Sequence, residues 1–408
     1  MAMKNAHPTL QVLALPQVRL LLLARFSTRF ARALIAAMLS YHIFVVTESY
    51  AALGILGLVE FLPVIPVSLL GGALADRLDR RTLLMLTTCA SGCGAMLLAF
   101  LGWQRPDSVS ALLAVAFGLA IVDGFSRPAG SSLLPNLVPR PIFQNASVVS
   151  SSVAQLAFIL GPISMGFLVA DHGLGAPYAL SVACYVLGVI FLLRLRTPRM
   201  EGERGEISWQ AIREGISFVR NQQPILGSIT LDMLAVIFAG ATALLPVYAE
   251  EILEVGPEGY GILRASLAIG TLGMALLLMI FRPFARPGRA LLIAVLLFGA
   301  ASIVFGFSRS LPLSILAFVV AGMADQVSMT TRSVILQLST PDALRGRVNA
   351  VNFIFIGASN ELGDAESGFL ASLTTATFSV VAGGVACLGV VGWIAGRMPE
   401  LRNYQPDR

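Results

Sequence analysis

Charged residues are scarce in this chain of 408 residues: Asp, Glu, Lys and Arg make up 12% of it, and Lys4 is the only lysine. Soluble domains carry about 25% charge, so a water-facing surface of ordinary extent is excluded. Histidine is scarcer still, and His7, His42 and His172 are scattered. The sequence contains no glycine-rich phosphate loop of the Walker type and no catalytic constellation. The four cysteines (Cys89, Cys93, Cys184 and Cys387) all fall inside apolar runs, which predicts free thiols rather than disulfides. Cys89 and Cys93 stand one helical turn apart, but no His or further Cys is near enough in sequence to complete a metal site. These absences disfavour an enzyme, an ATP-driven machine, a metal centre and a resident cofactor. No cleavable leader is expected, since the first apolar run is too long and too charged for one.

What the chain has in quantity is hydrocarbon. Apolar residues make up 56%, and the mean hydropathy is +0.80. A spanning helix needs about 20 apolar residues. Twelve stretches meet that need, near 18–46, 51–75, 83–102, 109–134, 146–170, 176–195, 224–249, 258–280, 289–307, 311–336, 348–371 and 376–396. The expectation is an all-α polytopic membrane protein. Arginine sets its orientation: Arg77, Arg80, Arg81, Arg140, Arg196, Arg289, Arg345 and Arg347 lie in loops on one side, against Arg105 and Arg309 on the other. The acidic run Glu250, Glu251, Glu254 and Glu258 lies opposite the arginine-rich side. By the positive-inside rule both termini are expected in the cytoplasm. That bias accounts for the net charge of +5 and the pI near 9.3 without a nucleic-acid partner.

The longest polar interval is 196–223, halfway along the chain. Within it Trp209, Ile212, Ile216 and Val219 recur at helical spacing behind Ser208, a candidate N-cap. This predicts an amphipathic linker helix lying on the inner membrane face. The flanking halves carry traces of duplication. Asp123 and Pro139 are spaced as Asp325 and Pro341 are, and Asn145-Ala146 is echoed by Asn349-Ala350.

The sharpest local signal is the segment from Gly72 to Arg81, whose Asp76, Arg77, Asp79, Arg80 and Arg81 fall between two apolar runs. Its pattern, G-x-L-A-D-R-x-x-R-R, resembles the loop between the second and third helices of the major facilitator superfamily. At Asp79 the family usually has Gly; Asp is one of the few other residues that tolerates the positive φ a sharp turn can require. The resemblance implies two pseudo-symmetric six-helix bundles, 1–195 and 224–408, joined by the linker 196–223. It also implies a cytoplasmic gate at Gly72, Asp76, Arg77, Arg80 and Arg81, and a central cavity lined by the first, fourth, seventh and tenth helices.

Ionisable groups inside spanning helices cost roughly 2.5–3.5 kcal/mol each on the insertion scale, so they are functional candidates. On the first helix Arg25, Arg29 and Arg32 fall on one face. The stripe faces the cavity or a protein partner, as Arg32 is read to do, or Arg25 and Arg29 reach for inner headgroups, the reading preferred for Arg25. Asp123 and Arg127 on the fourth helix form either a structural ion pair or part of the cavity, to which Asp232, Asp325 and Arg332 are added. Gly161-Pro162 with Gly166 on the fifth helix resembles an antiporter signature, Met165 replacing one glycine. On the eleventh helix, Glu361 lies about 21 Å in from Arg347 at about 1.5 Å per residue, in a core of about 30 Å. Asp364 is one turn further on the same face. The two are either proton carriers or are neutralised by an arginine such as Arg264; Glu60 is a lesser candidate of the same kind.

With Arg127-Pro128-Ala129 and Arg345-Gly346-Arg347-Val348-Asn349, the pattern is similar to the efflux branch of the enterobactin exporter and of macrolide and drug:proton antiporters. That implies a proton-coupled exporter in the cytoplasmic (inner) membrane, working by alternating access as a monomer. Its cargo would be a siderophore or another bulky anionic or amphipathic compound. Multidrug efflux, lipid or metabolite transport, and a non-transporting sensor or scaffold are the alternatives.

Overall fold

A computed structural model describes residues 8–64, 66–67, 79–131, 133–196, 209–280, 284–341 and 344–405, without the side chains of 8–10, 127–131, 209–212 and 353. Among these residues the secondary structure is helical, with no strand. The longer helices, in chain order, are α1 (Pro16–Thr47), α2 (Tyr50–Phe61), α3 (Arg80–Gln104), α4 (Val109–Ser131), α5 (Phe143–His172) and α6 (Ala176–Arg194). After the linker helix Trp209–Asn221 come α7 (Gln223–Ala239), α8 (Gly256–Ile280), α9 (Pro287–Phe307), α10 (Leu311–Ser339), α11 (Arg345–Leu373) and α12 (Ala376–Arg397). Ten segments are long and apolar enough to cross a membrane. The two others are α2, described over 12 residues, and α11, which carries Glu361, Asp364 and Glu366. The twelve helices fall where the apolar stretches are.

Two compact units form, one of residues Met1–His42 with Pro63–Glu206, the other of Ile43–Leu62 with Ile207–Arg408. In the first, Val18, Leu21, Ala24, Leu134, Ala146 and Leu192 make a buried core. The α5 backbone closes on α1 at Gly161, where a Cβ would stand 2.9 Å from Ala33 Cβ and 3.0 Å from the Leu34 nitrogen. The Gly161-Pro162 pair is thus a helix-crossing point, and Gly161, Pro162, Met165 and Gly166 are all buried.

Of the gate segment, Gly72, Asp76 and Arg77 lie outside the described residues. Its end is clear. Asp79 has φ −58° rather than a positive φ, and its carboxylate accepts from the Thr82 amide and hydroxyl, both at 3.0 Å. Asp therefore stands there as the N-cap of α3, not as a substitute for a turn glycine. Arg81 donates to the Leu192 and Leu193 carbonyls at 2.9 and 2.7 Å, satisfying orphan acceptors at the end of α6. Arg80 is exposed.

In the second unit α2 packs on α11 through small residues. A Cβ at Gly57 would meet the Ala365 nitrogen at 2.6 Å, and one at Gly54 the Phe369 nitrogen at 3.0 Å. Lipid chains are as apolar as leucine, so such close backbone approach supplies the attraction that hydrophobic burial supplies in water. One edge of the linker helix is seated on the second unit. Val219 is buried with Ile225, Ile229, Leu336, Val348 and Val351 of α7, α10 and α11, and Glu214 pairs with Arg347. Of its apolar edge Val219 is covered by protein and Ile216 is exposed, while the side chains of Trp209 and Ile212 lie outside the described residues.

One helix departs from expectation. The seventh apolar stretch, read as continuous over 224–249, breaks at Gly240 (φ −76°, ψ 82°). A 3₁₀ turn Ala241–Leu244, a short helix Leu245–Val247 and a π-turn Tyr248–Ile252 follow. Glycine is the least helical residue of the run apart from proline, and Pro246 adds a missing amide just beyond it.

Candidate functional site

Charges buried in the spanning helices define the candidate site, and each unit holds its own set. In the first unit the α1 arginines meet different fates. Arg25 Nη1 donates to Ser150 Oγ on α5 at 2.5 Å. Arg32 Nε lies 2.6 Å from Asp123 Oδ2 on α4, both side chains remaining partly accessible. Arg29, between them on the same face, is exposed and has no hydrogen-bond or ion-pair partner among the described residues. The stripe thus keeps a surplus of positive charge at Arg29. The Asp123 partner is Arg32; the Arg127 side chain lies outside the described residues. Tyr185 on α6, which interacts electrostatically with both Asp123 and Arg32, was not foreseen, because α6 carries no ionised residue before its end.

In the second unit Asp232 on α7 and Arg332 on α10 form an ion pair with both side chains buried, and Ser328 Oγ donates to Asp232 Oδ1 at 3.3 Å. Two of the expected cavity residues thereby neutralise each other. Asp325, two turns before Arg332, is half-buried and has no hydrogen-bond or ion-pair partner among the described residues.

The second charged set surrounds the break in α7. Asp364 on α11 accepts from Thr242 Oγ1 at 2.9 Å and from the Ala243 amide. Ser302 Oγ donates to the Ala239 carbonyl at 3.1 Å, covering an acceptor on the other side of the break. Arg264 on α8 donates to Tyr260 Oη at 3.0 Å and interacts electrostatically with Asp364 and with Glu60 on α2. Glu60 and Glu361 each make a further contact. Arg264, the arginine expected as a counter-ion, thus acts electrostatically on Asp364. Thr242 and Ala243 were not anticipated; the glycine inside an apolar run was the signal that pointed to them. At the far end of the interrupted segment, Tyr50 Oη donates to Glu251 Oε2 at 2.5 Å. Among the described residues no three His, Cys, Asp or Glu side chains gather as a metal site.

The arrangement consists of charges held inside membrane helices by partners on other helices, a cation at Arg29 with no ion-pair partner among the described residues, and a helix break clasped by a carboxylate. The family described as Transmembrane secretion effector matches residues 19–406. The chain belongs to that family, and so to the major facilitator transporters. It is 26% identical over 394 residues to the enterobactin exporter EntS of Escherichia coli K12, covering 96% of this chain and 94% of that one. Solved transporters share the fold. A POT family transporter superposes with a TM-score of 0.75 at 15% identity, over 94% of this chain and 96% of its own. For the nucleoside transporter NupG the values are 0.77 and 13%, over 93% and 99%. A bacterial homologue of the human lysosomal transporter Spinster gives 0.71 and 17%, over 96% and 99%. The protein is a multi-pass membrane transporter of small molecules, not an enzyme.

Proposed function

We propose that this transporter is a proton-driven exporter in the cytoplasmic membrane of a bacterium, working by alternating access, and that its cargo is an anionic amphipathic compound of the siderophore class. The observation that carries the cargo assignment is Arg29. Arg25 and Arg32 have partners on α5 and α4, whereas Arg29, on the same face of α1, has no hydrogen-bond or ion-pair partner among the described residues. A cation held near like charges in a membrane helix favours an anion: opposite unit charges 4 Å apart attract by about 4 kcal/mol at an effective dielectric constant near 20. The relationship to the enterobactin exporter supports export and a cargo of the siderophore class.

Inside-out vesicles holding the protein test this reading. An imposed proton gradient is expected to drive uptake of a catecholate siderophore, and a neutral macrolide is expected to be taken up far less. Arg29→Gln should weaken siderophore uptake about tenfold or more through KM and leave any macrolide uptake unchanged. Equal transport of both compounds, with equal loss in the variant, would instead indicate multidrug efflux.

A further inference from the structure

Two neighbouring helices of the second unit end in arginine on the side that meets lipid. Exposed apolar side chains of a spanning helix face acyl chains, which are as apolar as they are. On α9 these are Ile293, Leu296, Leu297 and Val304, and the exposed Arg289 stands one turn before Ile293 on the same face. On α12 they are Phe378, Val385 and Trp393, and the exposed Arg397 stands one turn after Trp393. The helices are packed antiparallel: a Cβ at Gly299 would lie 3.1 Å from Cys387 Sγ. Arg289 precedes Gly299 by ten residues and Arg397 follows Cys387 by ten. Both arginines therefore stand at one level, about 15 Å along their helices from that crossing.

The terminal helix Pro399–Arg402 closes the same end. Leu401 is fully buried. A Cβ at Gly288 would run into the Leu401 carbonyl and lie 3.3 Å from Tyr404 Cβ, which sets Arg402 beside the start of α9, where Arg286 is the N-cap. The Glu400 amide donates to Gln223 Oε1 at 2.8 Å, and Ser339 Oγ donates to Tyr404 Oη at 3.0 Å, so the segment is fastened to α7 and α10 as well. Arg286, Arg289, Arg397 and Arg402 are all exposed, and none has a hydrogen-bond or ion-pair partner among the described residues. Glu400 is the one acid at this end among those residues.

We propose that this end of α9, α12 and the terminal helix binds the phosphate headgroup of an anionic phospholipid, in the leaflet on the arginine-rich side of the membrane. Four guanidinium groups against one carboxylate call for an anion, and guanidinium grips phosphate oxygens with two N–H groups at a time. A lipid fits better than a soluble anion because Arg289 and Arg397 crown apolar stripes. The phosphate meets the guanidinium groups while the acyl chains lie on Ile293, Leu296 and Trp393. Tryptophan is enriched at the headgroup level, and arginine lays its stem on apolar surface with its charge at that level. A bound headgroup would tie the start of α9 to the end of α12. Neither the cargo nor the energy source enters this inference.

Tryptophan quenching tests it in the full-length protein carrying Trp103→Phe and Trp209→Phe, which leaves Trp393 as the one indole. The protein is reconstituted in phosphatidylcholine vesicles with a minor fraction of phosphatidylglycerol brominated in its acyl chains, or the same fraction of brominated phosphatidylcholine. An arginine at an anionic surface favours the lipid by about fivefold, so phosphatidylglycerol should be enriched about fivefold or more beside Trp393. Arg289→Gln with Arg397→Gln should cut the enrichment to about twofold or less. Arg213→Gln with Arg220→Gln, exposed on the linker helix, should leave it unchanged. Equal quenching by the two lipids would show that no site exists, and an equal fall in both double variants would reduce it to diffuse surface charge; either overturns the proposal. If the tryptophan replacements prevent folding, the melting temperature of the protein with its tryptophans intact serves, measured in detergent. Phosphatidylglycerol should raise it by several degrees, but not in Arg289→Gln with Arg397→Gln, and inorganic phosphate at the same concentration should not. No rise with the lipid sinks the site, and an equal rise with inorganic phosphate sinks the lipid assignment.

Discussion

At the scale of single residues, the membrane makes each buried charge depend on its partner. Asp232 and Arg332 show this most plainly, since both side chains are buried and each is the other's counter-ion. Removing one partner leaves the other charged in a low dielectric, at a cost of roughly 3–5 kcal/mol, whereas replacing both with apolar groups is often neutral. Arg332→Met alone should therefore lower the apparent melting temperature in detergent by several degrees, and Asp232→Leu with Arg332→Met should recover most of it. If the double variant melts as low as the single one, the pair does not act as a unit. The Arg32–Asp123 pair is partly accessible, so the same reasoning gives it a smaller effect. Arg29, having no partner among the described residues, should change binding with little change in stability.

At the scale of elements, small residues decide which helices touch. Gly57 and Gly54 let α2 reach the α11 backbone, and no side chain fits between them. Gly57→Val is expected to abolish that crossing and with it most of the folded yield, measured by size-exclusion recovery after extraction. Gly118 on α4 is the control: nothing lies within 4 Å of its Cβ position, and alanine is favoured in a helix by about 1 kcal/mol, so Gly118→Ala should leave yield unchanged or raise it. Equal losses in both variants would mean that backbone flexibility, and not the α2–α11 approach, is what matters. The linker helix follows the same logic. Gly215 stands where a Cβ would be 3.0 Å from the Arg347 carbonyl, so the helix is seated closely on α11.

At the scale of the whole molecule, the uneven placement of arginine should fix how the chain sits in the bilayer. Both termini are proposed to face the cytoplasm, with the turn after Ile252 outside. Alkaline phosphatase fused after Arg402 should be inactive, and the same enzyme fused within the segment 253–256 should be active. Activity at the first position and none at the second would invert the topology and, with it, the direction of transport.

The sequence by itself determined the number of spanning segments, their approximate ends and the superfamily. Those properties are local: a run of about 20 apolar residues can satisfy its backbone only as a helix once it is in lipid, whatever its neighbours are. It also located the charged positions, including Arg29, Arg32, Asp123, Glu60, Arg264 and Asp364. Only the tertiary structure decided their partners. Asp123 has a candidate cation one turn along its own helix and pairs instead with Arg32 of α1. Asp232 finds Arg332 a hundred residues away, and Asp364 clasps a turn that the hydropathy pattern reads as unbroken helix. Pairing depends on which backbones approach closely enough, and that is set by glycines and small side chains meeting across two helices. Spacing along one helix carries no record of it.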